Sequence, residues 1–94
     1  EETDLPLRAE VRGVCEILGL DPLYLANEGT LVLVVPANQA DAAIAAMKTL
    51  PEGANATKIG TVGTGQAGRV TMRTLFGGAR IVDMLVGEQL PRIC

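Results

Sequence analysis

Apolar positions recur at three- and four-residue spacing near the start of the chain: Leu7, Val11, Val14, Cys15 and Leu18. That period predicts a helix over residues 6–18. Asp4 is placed to cap it, Pro6 suits its first turn, and Gly19 supplies a C-terminal stop. Asp21-Pro22 then opens a turn or a new short helix. The next segment, Thr30-Leu31-Val32-Leu33-Val34-Val35-Pro36, is apolar without alternation. Such a run predicts a strand buried on both faces, and Pro36 ends it.

Residues 38–50 read as a second helix. Asn38 is its expected cap, and Asp41 lies in the first turn, where the helix dipole favours an anion. Ala40, Ala43, Ile44, Met47 and Leu50 form a stripe of mostly small residues that suits close packing on a sheet; Pro51 and Gly53 stop the helix. Residues 57–62 and 69–74 read as strands joined by a glycine-rich turn. Val70, Met72 and Thr74 alternate with Arg69, Thr71 and Arg73, which predicts one buried and one wet face. Gly77-Gly78 makes the next turn, and Ala79–Val86 reads as a last strand. The order predicts an α+β domain over residues 1–86, with helices layered on a mostly antiparallel sheet. Residues 87–94 have no period and read as a mobile tail.

Composition narrows the function. The chain has 94 residues, 48% of them hydrophobic, so general disorder is excluded. Its longest apolar stretch, Leu31–Ala37, is far short of the roughly 20 residues of a membrane helix. One Tyr, one Phe and no Trp leave an aliphatic core. The net charge of −3 and the scarcity of aromatics argue against nucleic acid as a partner. The chain has no His, which removes the common zinc sets and a Ser-His-Asp triad. No metal site is expected. Two Cys make no disulfide framework, and the acidic, polar opening Glu1-Glu2-Thr3-Asp4 is no secretory signal. A cytoplasmic setting with reduced thiols is the expectation.

Four features carry candidate chemistry. Gly63-Thr64-Gly65-Gln66-Ala67-Gly68 fits G-x-G-x-x-G. A dinucleotide site needs a helix after this motif, to aim amides at the pyrophosphate. Here the following residues alternate as a strand, so a glycine turn is the plainer reading, with an anion nest as the other. Asn27-Glu28-Gly29 reads either as a turn or as a carboxylate at a strand edge, placed to act as a base. Cys15 lies on the apolar stripe of the first helix and reads as a buried, inert thiol. Cys94, the last residue, sits beside Pro91, Arg92 and Ile93. It is either an incidental thiol or a nucleophile on a swinging arm. Arg92 favours its thiolate and the adjacent carboxylate opposes it. A Cys15–Cys94 disulfide is disfavoured by burial of Cys15 and a reducing compartment.

A resemblance adds to these readings. Phe76-Gly77-Gly78-Ala79-Arg80-Ile81-Val82-Asp83-Met84-Leu85, running to Leu90-Pro91-Arg92-Ile93-Cys94, resembles the C-terminus of the HypE hydrogenase maturation factors. Leu18-Gly19-Leu20-Asp21-Pro22-Leu23-Tyr24-Leu25-Ala26-Asn27-Glu28-Gly29 resembles that family's central C-domain motif, and Ile59-Gly60-Thr61-Val62 resembles the strand that follows. The resemblance covers nearly the whole chain.

It implies a truncated C-terminal domain of the aminoimidazole ribonucleotide synthetase-like superfamily, PurM-like and partly ferredoxin-like in layering. The N-terminal domain of such a parent binds ATP with Mg and dimerises. By the resemblance, the carbamoyltransferase HypF loads a carbamoyl group on the Cys94 thiol. The parent dehydrates it with ATP to a thiocyanate, and the cyano group passes to iron on the HypC–HypD complex, as a cyanide ligand of a [NiFe]-hydrogenase. Pro91, Arg92 and Ile93 then position the tail, and Glu28 is the candidate acid–base carboxylate. The 94 residues alone are expected to be inactive. Two alternatives remain: a non-catalytic docking module for the maturation partners, or the C-domain of a related synthetase or kinase such as selenophosphate synthetase or thiamine monophosphate kinase.

Overall fold

The apolar period of the first segment forms helix α1, Ala9–Leu18, in a computed structural model that describes residues 1–84. The helix starts three residues later than its pattern predicts. Pro6 disfavours the helical region for the residue before it, and Leu5 is extended at φ −70°, ψ 123°. Asp4 therefore does not cap α1; it ends a 3₁₀ turn, Glu2–Asp4. Arg8 holds the cap position without a side-chain bond. The C-terminal stop falls where the sequence places it. Gly19 is left-handed at φ 68°, and the N–H groups of Gly19 and Leu20 both donate to the Cys15 carbonyl. Asp21-Pro22 opens a short 3₁₀ turn, Pro22–Tyr24, in which an Asp21 carboxylate oxygen accepts from the Leu23 N–H at 3.0 Å.

The chain divides into two units. One holds Glu1–Pro6 and Leu33–Asp83; the other holds Leu7–Val32 and, of the described residues after 83, Met84. The second unit contains α1 and the Pro22–Tyr24 turn.

The first unit contains helix α2, Ala40–Lys48, between 3₁₀ turns at Ala37–Gln39 and Pro51–Gly53. Asn38 lies inside the leading turn and is not the cap; Gln39 takes that position without a side-chain bond. Asp41 in the first turn and Lys48 in the last agree with the dipole. At the far end, the Thr49 hydroxyl donates to the Ala46 carbonyl at 2.6 Å. Gly53 then packs against the backbone of Met47 so closely that a Cβ there would overlap the Met47 carbonyl.

Strands β1, Val70–Arg73, and β2, Ala79–Val82, form an antiparallel hairpin in the same unit. Val70 faces Val82 and Met72 faces Arg80. The Thr74 N–H donates to the Gly78 carbonyl at 2.7 Å, and Gly77 takes φ 84° in the turn. The alternation read from the sequence is only partly cashed in burial. Met72 is buried, while Val70 on the same face stays 56% exposed. Among the described residues, two helices and a small antiparallel sheet make the chain α+β.

Two expected strands do not form. Residues 30–36 form no regular element and pair with nothing among the described residues, and Leu31, Val32, Leu33 and Val34 are all exposed. A strand is defined by its cross-strand hydrogen bonds, so an apolar run with no partner remains a bare segment. Residues 57–62 likewise form no strand; the Ile59 carbonyl accepts from the Glu1 nitrogen at 3.2 Å instead. The Gly63–Gly68 loop therefore does not join two strands. The last strand ends at Val82, not Val86; Leu85 and Val86 lie outside the described residues.

Candidate functional site

Glu28 sits on the bend that follows the Pro22–Tyr24 turn, in the sequence Asn27-Glu28-Gly29. Gly29 adopts φ 78°, a conformation that a side chain would strain, so this glycine fixes the bend. The Glu28 side chain is exposed and forms no hydrogen bond or ion pair among the described residues. The turn geometry read from the sequence is thus present. The same geometry leaves the Glu28 carboxylate facing water. Cys94, Pro91, Arg92 and Ile93 lie outside the described residues. Cys15 is 4% exposed and unpaired, as expected of an inert core thiol.

The Gly63–Gly68 loop ends in a turn in which the Arg69 N–H donates to the Gln66 carbonyl at 3.2 Å and Gly68 takes φ 78°. A positive φ at the third residue of a β-turn is the type II pattern. The loop runs straight into β1 and not into a helix. No helix N-terminus is therefore available to hold a pyrophosphate there, and the dinucleotide reading is overturned. No group of three or more His, Cys, Asp or Glu among the described residues is placed to hold a metal ion. No helix of the described residues is long and apolar enough to cross a membrane.

The described residues do bring together a cluster that the sequence did not mark. An open groove of about 530 Å³ in the first unit is lined by Asp4, Lys58, Thr61, Thr71 and Arg73, among others. Arg73 meets the Glu1 carboxylate at 3.3 Å, with both side chains largely in water. Such an exposed pair adds little stability. The Glu2 carboxylate accepts the Leu75 N–H at 2.8 Å and ties the opening residues to the hairpin turn. Only the wet face of residues 69–74 hinted at Thr71 and Arg73. The partners of Arg73 and Leu75, Glu1 and Glu2, lie some 70 positions away, beyond any local pattern.

Residues 2–73 match the family "AIR synthase related protein, C-terminal domain". The chain belongs to that family. As an AIR-synthase-related C-terminal domain it also has close relatives of full length. Over all 94 residues it is 70% identical to carbamoyl dehydratase HypE of Rhodobacter capsulatus, covering 28% of that protein. Over 93 residues, 99% of the chain, it is 53% identical to carbamoyl dehydratase HypE of Azotobacter vinelandii and 45% identical to that of Escherichia coli (strain K12), covering 27% of each. The chain thus spans little more than a quarter of the length of these curated relatives. No solved structure matches it. The family match stops at Arg73, whereas the match to the R. capsulatus protein takes in every residue after it, Cys94 included.

Proposed function

We propose that this AIR-synthase-related C-terminal domain is the carrier part of a HypE-type carbamoyl dehydratase that serves [NiFe]-hydrogenase maturation. The observation that carries the reading is the 70% identity to carbamoyl dehydratase HypE over all 94 residues, through the terminal cysteine. That span favours HypE over the other members of the superfamily, whose chemistries need no thiol at the last residue.

On this reading the Cys94 thiolate attacks the carbonyl carbon of an activated carbamoyl donor brought by HypF; the bond from that carbon to the donor's leaving group breaks, the leaving group departs with the electron pair, and an S-carboxamide remains. The amide oxygen is a poor leaving group. Phosphorylation by ATP lets it depart as phosphate, two protons leave the nitrogen, and a thiocyanate remains. On this reading ATP with Mg belongs to polypeptide of the longer relatives that these 94 residues do not include, as does the dimer contact. The same longer polypeptide completes the PurM-like layering. What this chain contributes is the carrier thiol, the tail residues Pro91, Arg92 and Ile93 that present it, and the exposed Glu28 carboxylate as a proton acceptor. A thiol on a tether reaches successive partners at high effective concentration, here HypF and then the HypC–HypD iron scaffold. The setting is cytoplasmic.

The test is a chimera in which these 94 residues replace the matching part of the R. capsulatus relative. The chimera restores cyanide-ligand formation on the hydrogenase iron, read as infrared cyanide bands. The Cys94→Ala chimera still binds its partners but gives no cyanide. If the Cys94→Ala chimera matures hydrogenase normally, the domain is a docking module and the carrier reading is wrong.

A further inference from the structure

Four glycines among the described residues hold a positive φ, and three of them serve a hydrogen-bonded turn. The Gly19 N–H donates to the Cys15 carbonyl at the end of α1. Gly68 lies in the turn that the Arg69 N–H closes on the Gln66 carbonyl, and the Gly77 N–H donates to the Thr74 carbonyl. Gly29 is the fourth, at φ 78°, and it closes nothing. Residues 27–30 make no hydrogen bond among the described residues, so no local bond accounts for its conformation.

What Gly29 does set is the direction of the chain at Glu28. Upstream the path is held: Gly19 ends α1, the Asp21 carboxylate accepts the Leu23 N–H, and the Pro22–Tyr24 turn packs against α1. Gly29 is the one position between residues 20 and 67 with a positive φ. Rotation about φ of Gly29 follows directly on the peptide it shares with Glu28. A change to negative φ therefore turns Glu28 relative to the chain that leads away from it. A backbone conformation that side chains avoid, next to an ionisable group and without a bond of its own, points to function.

We infer that Gly29 is a positioning residue for the dehydration step: its left-handed backbone aims the Glu28 carboxylate at the carboxamide nitrogen. The inference rests on the reading of Glu28 as proton acceptor. Loading of Cys94 makes no use of that carboxylate, so the effect of Gly29 is confined to the step after it.

The test uses the chimera with the R. capsulatus relative, with carbamoylation and dehydration of Cys94 followed separately by intact mass. Gly29→Ala is expected to carbamoylate at the unaltered rate. It is expected to dehydrate about tenfold more slowly at saturating ATP, with the KM for ATP unchanged. Gly29→Asn, whose side chain tolerates the left-handed region, is expected to recover most of that loss. If Glu28→Gln is slow and Gly29→Ala is not, the inference is overturned while the reading of Glu28 stands. If Glu28→Gln dehydrates at the unaltered rate, that reading falls and the inference with it. Equal slowing by Ala and Asn would mean that the site needs space and not a left-handed backbone. Loss of carbamoylation along with dehydration would mean that Gly29 serves folding. Either result also overturns the inference.

Discussion

The Leu75 amide donates to the Glu2 carboxylate at 2.8 Å, so a residue at the start of the chain holds the turn of the hairpin near its end. The two lie 73 positions apart, and the bond closes the largest loop among the hydrogen bonds described above. Replacing Glu2 with Ala leaves the Leu75 N–H to water. The expected cost is about 1 kcal/mol locally, which accelerates exchange of the Leu75 amide about fivefold. An unchanged exchange rate would show that the turn does not depend on this carboxylate.

Glycines 13 and 53 are expected to respond to alanine in opposite directions. A Cβ on Gly53 overlaps the Met47 carbonyl, so Gly53→Ala forces the Pro51–Gly53 turn away from α2, at about 1–3 kcal/mol. Gly13 lies inside α1, and a Cβ there meets nothing within 4 Å. Gly13→Ala stabilises that helix by about 1 kcal/mol. Helical circular dichroism on heating checks both; a loss from Gly13→Ala would contradict the open space beside α1.

Cys15 is 4% exposed, and its thiol is expected to resist alkylation by iodoacetamide in the native chain. It should react only after denaturant opens α1. Peptide mapping of the alkylated native chain provides the check. Rapid native labelling at Cys15 would place α1 in a different packing.

Glu28 is expected to act after the carbamoyl group is loaded. In the chimera with the R. capsulatus relative, Glu28→Gln should leave carbamoylation of Cys94 intact and slow its dehydration by about a hundredfold. Equal dehydration rates would return Glu28 to the role of a solvated turn residue.

Local signals in the sequence translated well where the chemistry is local. Gly19 ended α1, Asp21 and Pro22 made a turn, Gly77 closed the hairpin, and the alternation of residues 70–73 became β1. The failures came where an element depends on something distant. Leu31–Val35 has every intrinsic preference of a buried strand, yet propensity cannot supply a pairing partner. Residues 57–62 form no strand, and the Ile59 carbonyl accepts from the Glu1 nitrogen, which no pattern of spacing announces. Asp4 and Asn38 are good capping residues out of register with the caps, Asp4 four residues before Arg8 and Asn38 one residue before Gln39. Of the candidate site, the bend at Glu28 was legible because Gly29 dictates it. The groove beside Arg73 was not, because its walls come from opposite ends of the sequence.

The carrier role of Cys94 is tested most directly by intact mass of the chimera after incubation with HypF, carbamoyl phosphate and ATP. A gain of about 43 Da that falls to about 25 Da, mapped to Cys94 and absent from Cys94→Ala, is the predicted result for a carbamoyl group turned into a cyano group on sulfur. No mass change at Cys94, with HypF shown to be active on the unaltered R. capsulatus protein, would contradict the account.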